Sequence, residues 1–235
     1  MTTKLELKPP TANALLAGLT RPSFKRLQAS LEPVQLDFGE ILYEPRHTIK
    51  YVYFPINSLV SLLTVVDRRL PLEVGMVGNE GMVGIPLALG VDVSPVRALV
   101  QGMGTALRMN AAFFRREIRN NVSLQTEVNR YTHALMIQVS QTAACNRFHT
   151  VDARLARWLL MTRDRVGSNQ FRLTHEFLAH MLGVRREGVS SAANDLKRRK
   201  LIEYSRGEIS IINSRGLEAQ SCSCYASVKQ LNVKA

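Results

Sequence analysis

The feature that most constrains the fold is a run of 27 residues, from Ser123 to His149, that contains neither proline nor glycine. At 1.5 Å per residue it predicts a helix on the order of 40 Å long, which exceeds an ordinary globular helix. Its apolar residues start at the spacing of a coiled-coil seam: Leu124, Val128, Tyr131 and Leu135. The same positions continue as Gln138, Thr142 and Cys145. We therefore expect a long helix that pairs two subunits, with packing against its own chain as the alternative.

The chain before this helix is typical of a β-domain. From Val34 to about Met109, short β-branched or aromatic runs are separated by Gly, Pro, Asn and Asp. The runs are 41–43, 51–54, 59–66 and 99–100. Glycine recurs every third residue from Gly75 to Gly84, but no Gly-Lys-Ser/Thr of a phosphate loop follows. We interpret these glycines as tight corners of a β-roll.

Two further helices are predicted after the long one. The first should begin at Val151, with Thr150 as its N-cap, and end at Gly167. The next should begin after Thr174, a good N-cap, and end at Gly183, where glycine permits a sharp turn. A short helix followed by a glycine turn is the first half of a helix-turn-helix.

The helix that should start near Arg186 has the pattern of a DNA recognition helix. Its buried stripe is predicted to be Val189, Ala192, Ala193 and Leu196. Predicted base-reading residues are Arg185, Arg186, Glu187, Ser190 and Ser191. Predicted phosphate contacts are Thr174, Lys197, Arg198, Arg199, Lys200 and Arg206. Strands at 201–204 and 209–212 would form a hairpin with Arg206 at its tip, which completes a winged helix-turn-helix for double-stranded DNA.

The charge of the chain agrees with a polyanionic partner. Lys and Arg number 31 against 19 Asp and Glu, which gives a net charge of +12. Residues 151–235 hold 15 basic and 8 acidic residues, so the charge is denser at the C-terminal end. The basic helix has an alanine-rich apolar face without the large side chains of interfacial helices, which favours DNA. A basic membrane-surface or scaffolding protein is the alternative.

Several functional classes lack their sequence signals. No apolar run of about eighteen residues and no signal peptide occurs, so we expect a cytoplasmic protein without a membrane partner. Neither Gly-x-Ser-x-Gly nor His-Glu-x-x-His occurs, so no catalytic residues and no enzyme are predicted. Cys145, Cys222 and Cys224 are expected to be reduced thiols. Because no third and fourth ligand follows Cys222 and Cys224 at zinc-site spacing, and Cys145 with His149 is interpreted as seam packing, no metal is predicted.

The order of these elements resembles the Crp/Fnr superfamily of bacterial transcription regulators over nearly the whole chain. The most specific match is residues 183–189, Gly-Val-Arg-Arg-Glu-Gly-Val, similar to the family's Gly-x-Ser-Arg-Glu-Thr-Val, in which Arg and Glu read bases. The family's Ser is Arg185 here, and a base-contacting Arg of the family is Ser191, so the DNA half-site should differ.

This resemblance implies an α+β fold in three parts. A β-roll like a cyclic-nucleotide-binding jelly roll would occupy 1–122, a dimerisation helix 123–149 and a winged helix-turn-helix 150–235. It also implies a homodimer that binds a roughly palindromic site in the major groove, with RNA polymerase as a further candidate partner.

The effector pocket that the resemblance implies is degenerate. The family's cyclic-nucleotide cassette has Gly-Glu-Leu and then Arg-Ser/Thr-Ala, whereas this chain has Gly84-Ile-Pro and Val96-Arg-Ala. Ile85 thus replaces the Glu that holds the ribose. Arg97 is displaced by one residue and should face the other side of its strand, next to Ala98. We predict no cofactor and no control by cyclic AMP. An iron–sulfur cluster is not expected either, since the first cysteine is Cys145.

Overall fold

The computed structural model describes residues 12–64, 71–205 and 207–233. They form two compact units, the first from 12–62 and 76–134 and the second from 63–75 and 135–233, within those ranges. Arg206, the predicted phosphate contact at the hairpin tip, lies outside the described residues. The bounds predicted for three domains stay a prediction.

The strands of the N-terminal half form two antiparallel sheets, with strand orders β1-β7-β3 and β2-β6-β4-β5. The strands are β1 (Glu32–Leu36), β2 (Ile41–Tyr43), β3 (Tyr51–Pro55), β4 (Leu59–Thr64), β5 (Leu72–Val77), β6 (Arg97–Gly102) and β7 (Gly104–Asn110). Residues with branched and aromatic side chains supply most of the buried positions, as the strand pattern predicted. The β-roll is therefore confirmed.

The helices of the N-terminal half flank these sheets in the sequence. They are α1 (Ala14–Ala17), α2 (Arg21–Gln28), α3 (Ile85–Ala88) and α4 (Ala111–Asn120). The long helix α5 begins at Val122 and ends at Phe148, which confirms its prediction.

The apolar stripe of α5 packs inside its own chain. Leu124 and Val128 are fully buried, and Tyr131 is 4% exposed. A Cβ atom at Gly81 would lie only 1.9 Å from Cε2 of Tyr131, so the absent side chain of Gly81 leaves the space that this ring fills. Leu135 is half-buried, and its Cδ1 would lie 3.5 Å from a Cβ atom at Gly75, which is an ordinary van der Waals contact. The prediction of a subunit seam is wrong for Leu124, Val128 and Tyr131, because heptad spacing defines a stripe but not what covers it, and for Leu135 it stays a prediction.

The second half contains the winged helix-turn-helix. Its helices are α6 (Val151–Val166), α7 (His175–Leu182), α8 (Arg186–Arg198), α9 (Ser214–Gln220) and α10 (Cys224–Val233). Its strands β8 (Gln170–Arg172), β9 (Ile202–Ser205) and β10 (Glu208–Ile211) form a sheet in the order β8-β10-β9. Helix α8 buries the four residues predicted for its stripe. Strand β8 and the two C-terminal helices were not predicted.

The helix ends follow the predicted capping residues, with one exception. Thr174 accepts a hydrogen bond from the Phe177 amide at 3.1 Å and caps α7. Gly167 and Gly183 end their helices with φ of +70° and +62°. Thr150 does precede α6, but its side chain makes no capping hydrogen bond, so that prediction holds for position only. Across the described residues, no helix is both long and apolar enough to cross a membrane.

The contact between Gly81 and Tyr131 can be tested by Gly81→Ala. Because the added methyl group would overlap the buried ring, we expect a loss of about 1–3 kcal/mol in the free energy of unfolding, measured by urea denaturation. Gly188→Ala is the matched control, since nothing lies within 4 Å of its Cβ position in α8, and alanine there should stabilise by up to about 1 kcal/mol. Equal stabilities of the two variants would contradict the inward packing of α5.

Candidate nucleic-acid interface

Helix α8 presents one polar face to solvent. The exposed side chains at its start and along it are Arg185, Arg186, Glu187, Ser191 and Asn194. The opposite face is fully occupied by packing, with Val189 and Leu196 at 0% exposure. Burial of that face fixes the rotation of the helix about its axis, so four of the five predicted base-reading residues point outward together.

The fifth, Ser190, is half-buried and is held by its neighbours. Oγ of Ser190 lies 2.9 Å from Nδ1 of His175, and the His175 ring stacks on Tyr204 with centroids 4.2 Å apart. Burial, and secondly the positive charge of Arg186, lower the pKa of His175, so its imidazole is uncharged at neutral pH. These side chains join α7, α8 and β9. Sequence reasoning missed His175 and Tyr204 because no local pattern connects residues of three separate elements.

The arginines predicted to contact phosphates share one carboxylate. Nε of Arg199 lies 2.7 Å from Oδ2 of Asp195, and Arg198 forms an ion pair with the same side chain. The arginine side chains stay 51% and 80% exposed, respectively. Lys197 donates to the Tyr204 carbonyl at 3.3 Å. Because such surface ion pairs are weak, a DNA phosphate can replace Asp195 at little cost.

Lys200, two residues after the end of α8, has a backbone conformation that lysine rarely adopts. Its φ is +56°, and its amide donates to the Lys197 carbonyl while the Leu201 amide donates to that of Leu196. These two bonds form a Schellman motif, in which glycine is the usual residue at the left-handed position. A lysine there strains the backbone, yet places an exposed ammonium group at the end of the recognition helix.

The predicted degenerate effector pocket lies in the β-roll. Gly84, with φ of +112°, precedes α3, and Ile85 is 8% exposed where the family's cassette has Glu. Ala98 is fully buried, whereas the half-buried Arg97 faces the other side of β6. Nε of Arg97 lies 2.8 Å from a carboxylate oxygen of Glu44. This guanidinium is thus already paired with a carboxylate.

Three cysteines and a histidine form a cluster that sequence spacing did not reveal. Sγ of Cys145 lies 3.5 Å from Sγ of Cys222, and Sγ of Cys224 lies 3.5 Å from Nδ1 of His149. All four candidate ligand atoms lie within 4.8 Å of one another. The hydrogen bond with Cys145 lowers the pKa of the Cys222 thiol, and the charge of Arg157 acts in the same direction. The prediction that Cys222 and Cys224 have no third and fourth partner is wrong, because those partners come from 77 and 75 residues earlier.

Comparison with known proteins identifies the C-terminal module. Residues 153–220 match the family model of the Crp-like helix-turn-helix domain. Among curated proteins, no sequence matches this chain significantly. The matched range spans most of α6 and continues to the end of α9, so it includes the recognition helix and the three-stranded sheet.

Solved structures share the fold along most of the chain. FixK2 from Bradyrhizobium japonicum is 14% identical, with a TM-score of 0.69 over 82% of this chain and 98% of that one. The c-di-GMP responsive global regulator CLP of Xanthomonas campestris is 16% identical, with a TM-score of 0.66 over 82% and 99% of the two chains. A CRP-family transcriptional regulator from Thermus thermophilus is 19% identical, with a TM-score of 0.66 over 80% and 96%.

At these low identities the structural likeness establishes the fold, while the family model identifies the DNA-binding domain. Residues 153–220 thus form a Crp-like helix-turn-helix domain, and most of the chain has the fold of the solved Crp/Fnr regulators.

Proposed function

We propose that this chain is a transcription regulator of the Crp/Fnr type that binds double-stranded DNA as a homodimer, reads a roughly palindromic site through α8 in the major groove, and acts in the cytoplasm without control by cyclic AMP. The observation that carries the proposal is the outward polar face of α8, on which Arg186 and Glu187 are both exposed. Arg is suited to guanine O6 and N7, and Glu to the cytosine amino group. Selection of bound fragments from a random duplex pool tests the proposal, because it yields motif, symmetry and half-site spacing together.

Electrostatics separate DNA from the membrane-surface alternative. The exposed face of α8 and its C-terminal end carries basic and polar residues. The apolar stripe of the helix is buried inside the domain. An interfacial helix would need that stripe to enter lipid. Arg198, Arg199 and Lys200 instead form a basic end to a helix whose start carries the base-reading residues, an arrangement that suits phosphates beside a groove.

A second copy of the chain would pair along the outward face of α5. The residues exposed along that face recur at alternating intervals of four and three: Val122, Thr126, Asn129, His133, Met136, Ser140, Ala143 and Arg147. This is the spacing of a two-helix seam over about 40 Å of helix, and Val122, Met136 and Ala143 are its apolar residues. A stripe with this spacing slowly rotates around a straight helix. Two helices that supercoil around each other keep such a stripe in contact along its length. The pairing would present two α8 helices about 34 Å apart, one turn of DNA.

Two features support independence from cyclic AMP. Ile85 offers no carboxylate to the ribose, and the guanidinium of Arg97 is bound to Glu44. Burying a cyclic phosphate without a free cation would be costly. An effector of the β-roll, if one acts, would have to bind one orientation of the DNA-binding domains better than another.

Arg186→Ala should weaken binding to the selected duplex by about 1–3 kcal/mol and relax specificity at one base pair, with little change on random duplex. The reason is that the exposed guanidinium contacts a base and not a phosphate. Fluorescence anisotropy on both duplexes measures this. Arg119→Ala, which removes an exposed arginine from α4, is the control and should change neither affinity. Equal losses on both duplexes would show that Arg186 does not read sequence.

Lys200→Gly should move stability and DNA affinity in opposite directions. Glycine relieves the left-handed strain, so unfolding free energy should rise by about 1 kcal/mol. Loss of a phosphate contact should weaken binding to every duplex alike and reduce the slope of log affinity against log salt by about 1. If the variant bound duplex DNA as tightly as the wild type, Lys200 would have no phosphate contact. Binding of the wild-type protein to anionic liposomes and not to duplex DNA would also contradict the phosphate role.

Met136→Glu should dissociate the homodimer, because it places charge in the middle of the outward face of α5, where Met136 is 64% exposed. Sedimentation equilibrium would report the monomer. Met103→Glu is the matched control, since Met103 is equally exposed, at 62%, between β6 and β7. A Met136→Glu dimer as tight as the wild type would place the subunit interface elsewhere.

A further inference from the structure

The cysteine and histidine cluster lies where three parts of the second unit meet. Cys145 is in the last turn of α5, and the His149 amide donates to the Cys145 carbonyl at 3.1 Å, so His149 lies one helical turn further along. Cys222 lies between α9 and α10, and Cys224 is the first residue of α10. Each cysteine is buried, and His149 is half-buried.

The distances within the cluster match a mononuclear tetrahedral site. Zinc binds thiolate sulfur at about 2.3 Å and imidazole nitrogen at about 2.0–2.1 Å, so the edges of such a tetrahedron measure roughly 3.6–3.8 Å. The two measured ligand pairs are each 3.5 Å apart, and no pair of ligand atoms exceeds 4.8 Å. An iron–sulfur cluster needs wider spacing, because several iron and sulfide ions must fit between its ligands.

Two buried arginines supply an independent argument from charge. Arg154 and Arg157 are 6% and 5% exposed, and each interacts electrostatically with the cysteines. Within the described part of the chain, neither forms an ion pair with a carboxylate, and Nε of each has no hydrogen-bond partner. Buried cations without a counter-charge are costly. The chemistry that would balance them is negative charge on the neighbouring sulfur atoms.

We propose that Cys145, His149, Cys222 and Cys224 bind one Zn²⁺ ion, through three thiolate sulfurs and Nδ1 of the imidazole. The bound form holds three thiolate sulfurs, any displaced thiol protons pass to solvent, and the complex carries one net negative charge beside Arg154. Thiolate and imidazole ligands select zinc over magnesium or calcium. Because the protein supplies all four ligands, the site is structural and not catalytic.

The surroundings of the site agree with this assignment. Nε2 of Gln141 lies 3.1 Å from Sγ of Cys224, so its amide donates a hydrogen bond to that sulfur. Such second-layer donors orient metal ligands. Ala153 of α6 packs against the three cysteines. The ion would therefore tie α9 and α10 to the end of α5 and the start of α6, where the DNA-binding module begins, whatever DNA the module reads.

The test uses the full chain, purified anaerobically without chelators from a zinc-supplemented culture. Elemental analysis should find one zinc per chain. Replacement by Co²⁺ should give the visible absorption of tetrahedral cobalt and a thiolate-to-cobalt charge-transfer band. Zinc-free protein that takes up neither ion, iron accompanied by acid-labile sulfide, or a Cys145–Cys222 disulfide in the anaerobic protein would each overturn the proposal.

Variants locate the ion. Cys222→Ala and Cys224→Ala should abolish stoichiometric zinc, whereas Ser223→Ala, the exposed residue between them, should retain it. Gln141→Met leaves all four ligands in place. It therefore tests the site without the risk that loss of a ligand prevents folding. It should lower zinc affinity about 10–100-fold in chelator competition. Unchanged zinc content in both cysteine variants would place the ion elsewhere and contradict the site.

Discussion

The inward face of α5 is the contact on which the other features depend. Leu124 and Val128 are completely buried, and the Tyr131 ring occupies space that exists because residue 81 is glycine. Burial of large apolar and aromatic side chains is worth about 1.5–3 kcal/mol for each, so the rotation of the helix about its axis is strongly fixed. Because this face packs inward, the opposite face of α5 is exposed to solvent, and Cys145, near the end of the same stripe, is buried.

The recognition helix is held by the same kind of constraint. Its alanine-rich stripe is buried within the winged module, and the Schellman motif at Lys200 sets where the chain turns toward β9. The stacking of His175 on Tyr204, with the hydrogen bond between His175 and Ser190, links α7, α8 and the hairpin. Arg186 and Glu187 thus project from a helix supported on several sides, and precise support is what base readout requires.

Arginine side chains have a role both on the exposed face of α8 and beside the buried cysteine cluster. Outside, Asp195 holds two arginines that a phosphate can recruit. Inside, Arg154 and Arg157 interact electrostatically with the sulfur atoms of the cysteine cluster. The zinc site we propose would place one net negative charge beside these two buried cations and so offset part of the cost of burying them. It would also cross-link segments that are far apart in the sequence, which is how small domains gain stability from few contacts.

The sequence by itself determined the local elements: the long helix, the strands of the β-roll, the capped helix α7, and the stripe of α8 with its exposed Arg186 face. Helical periodicity, strand alternation and capping act between residues a few positions apart, so they can be found without knowing the rest of the fold. Only the tertiary structure decided which partner covers each stripe. It placed the apolar side of α5 against its own β-roll, engaged Ser190 with His175, and joined Cys145 to Cys222 across 77 residues. Those outcomes depend on how separate elements pack, and local spacing carries no information about a partner that is distant in the chain.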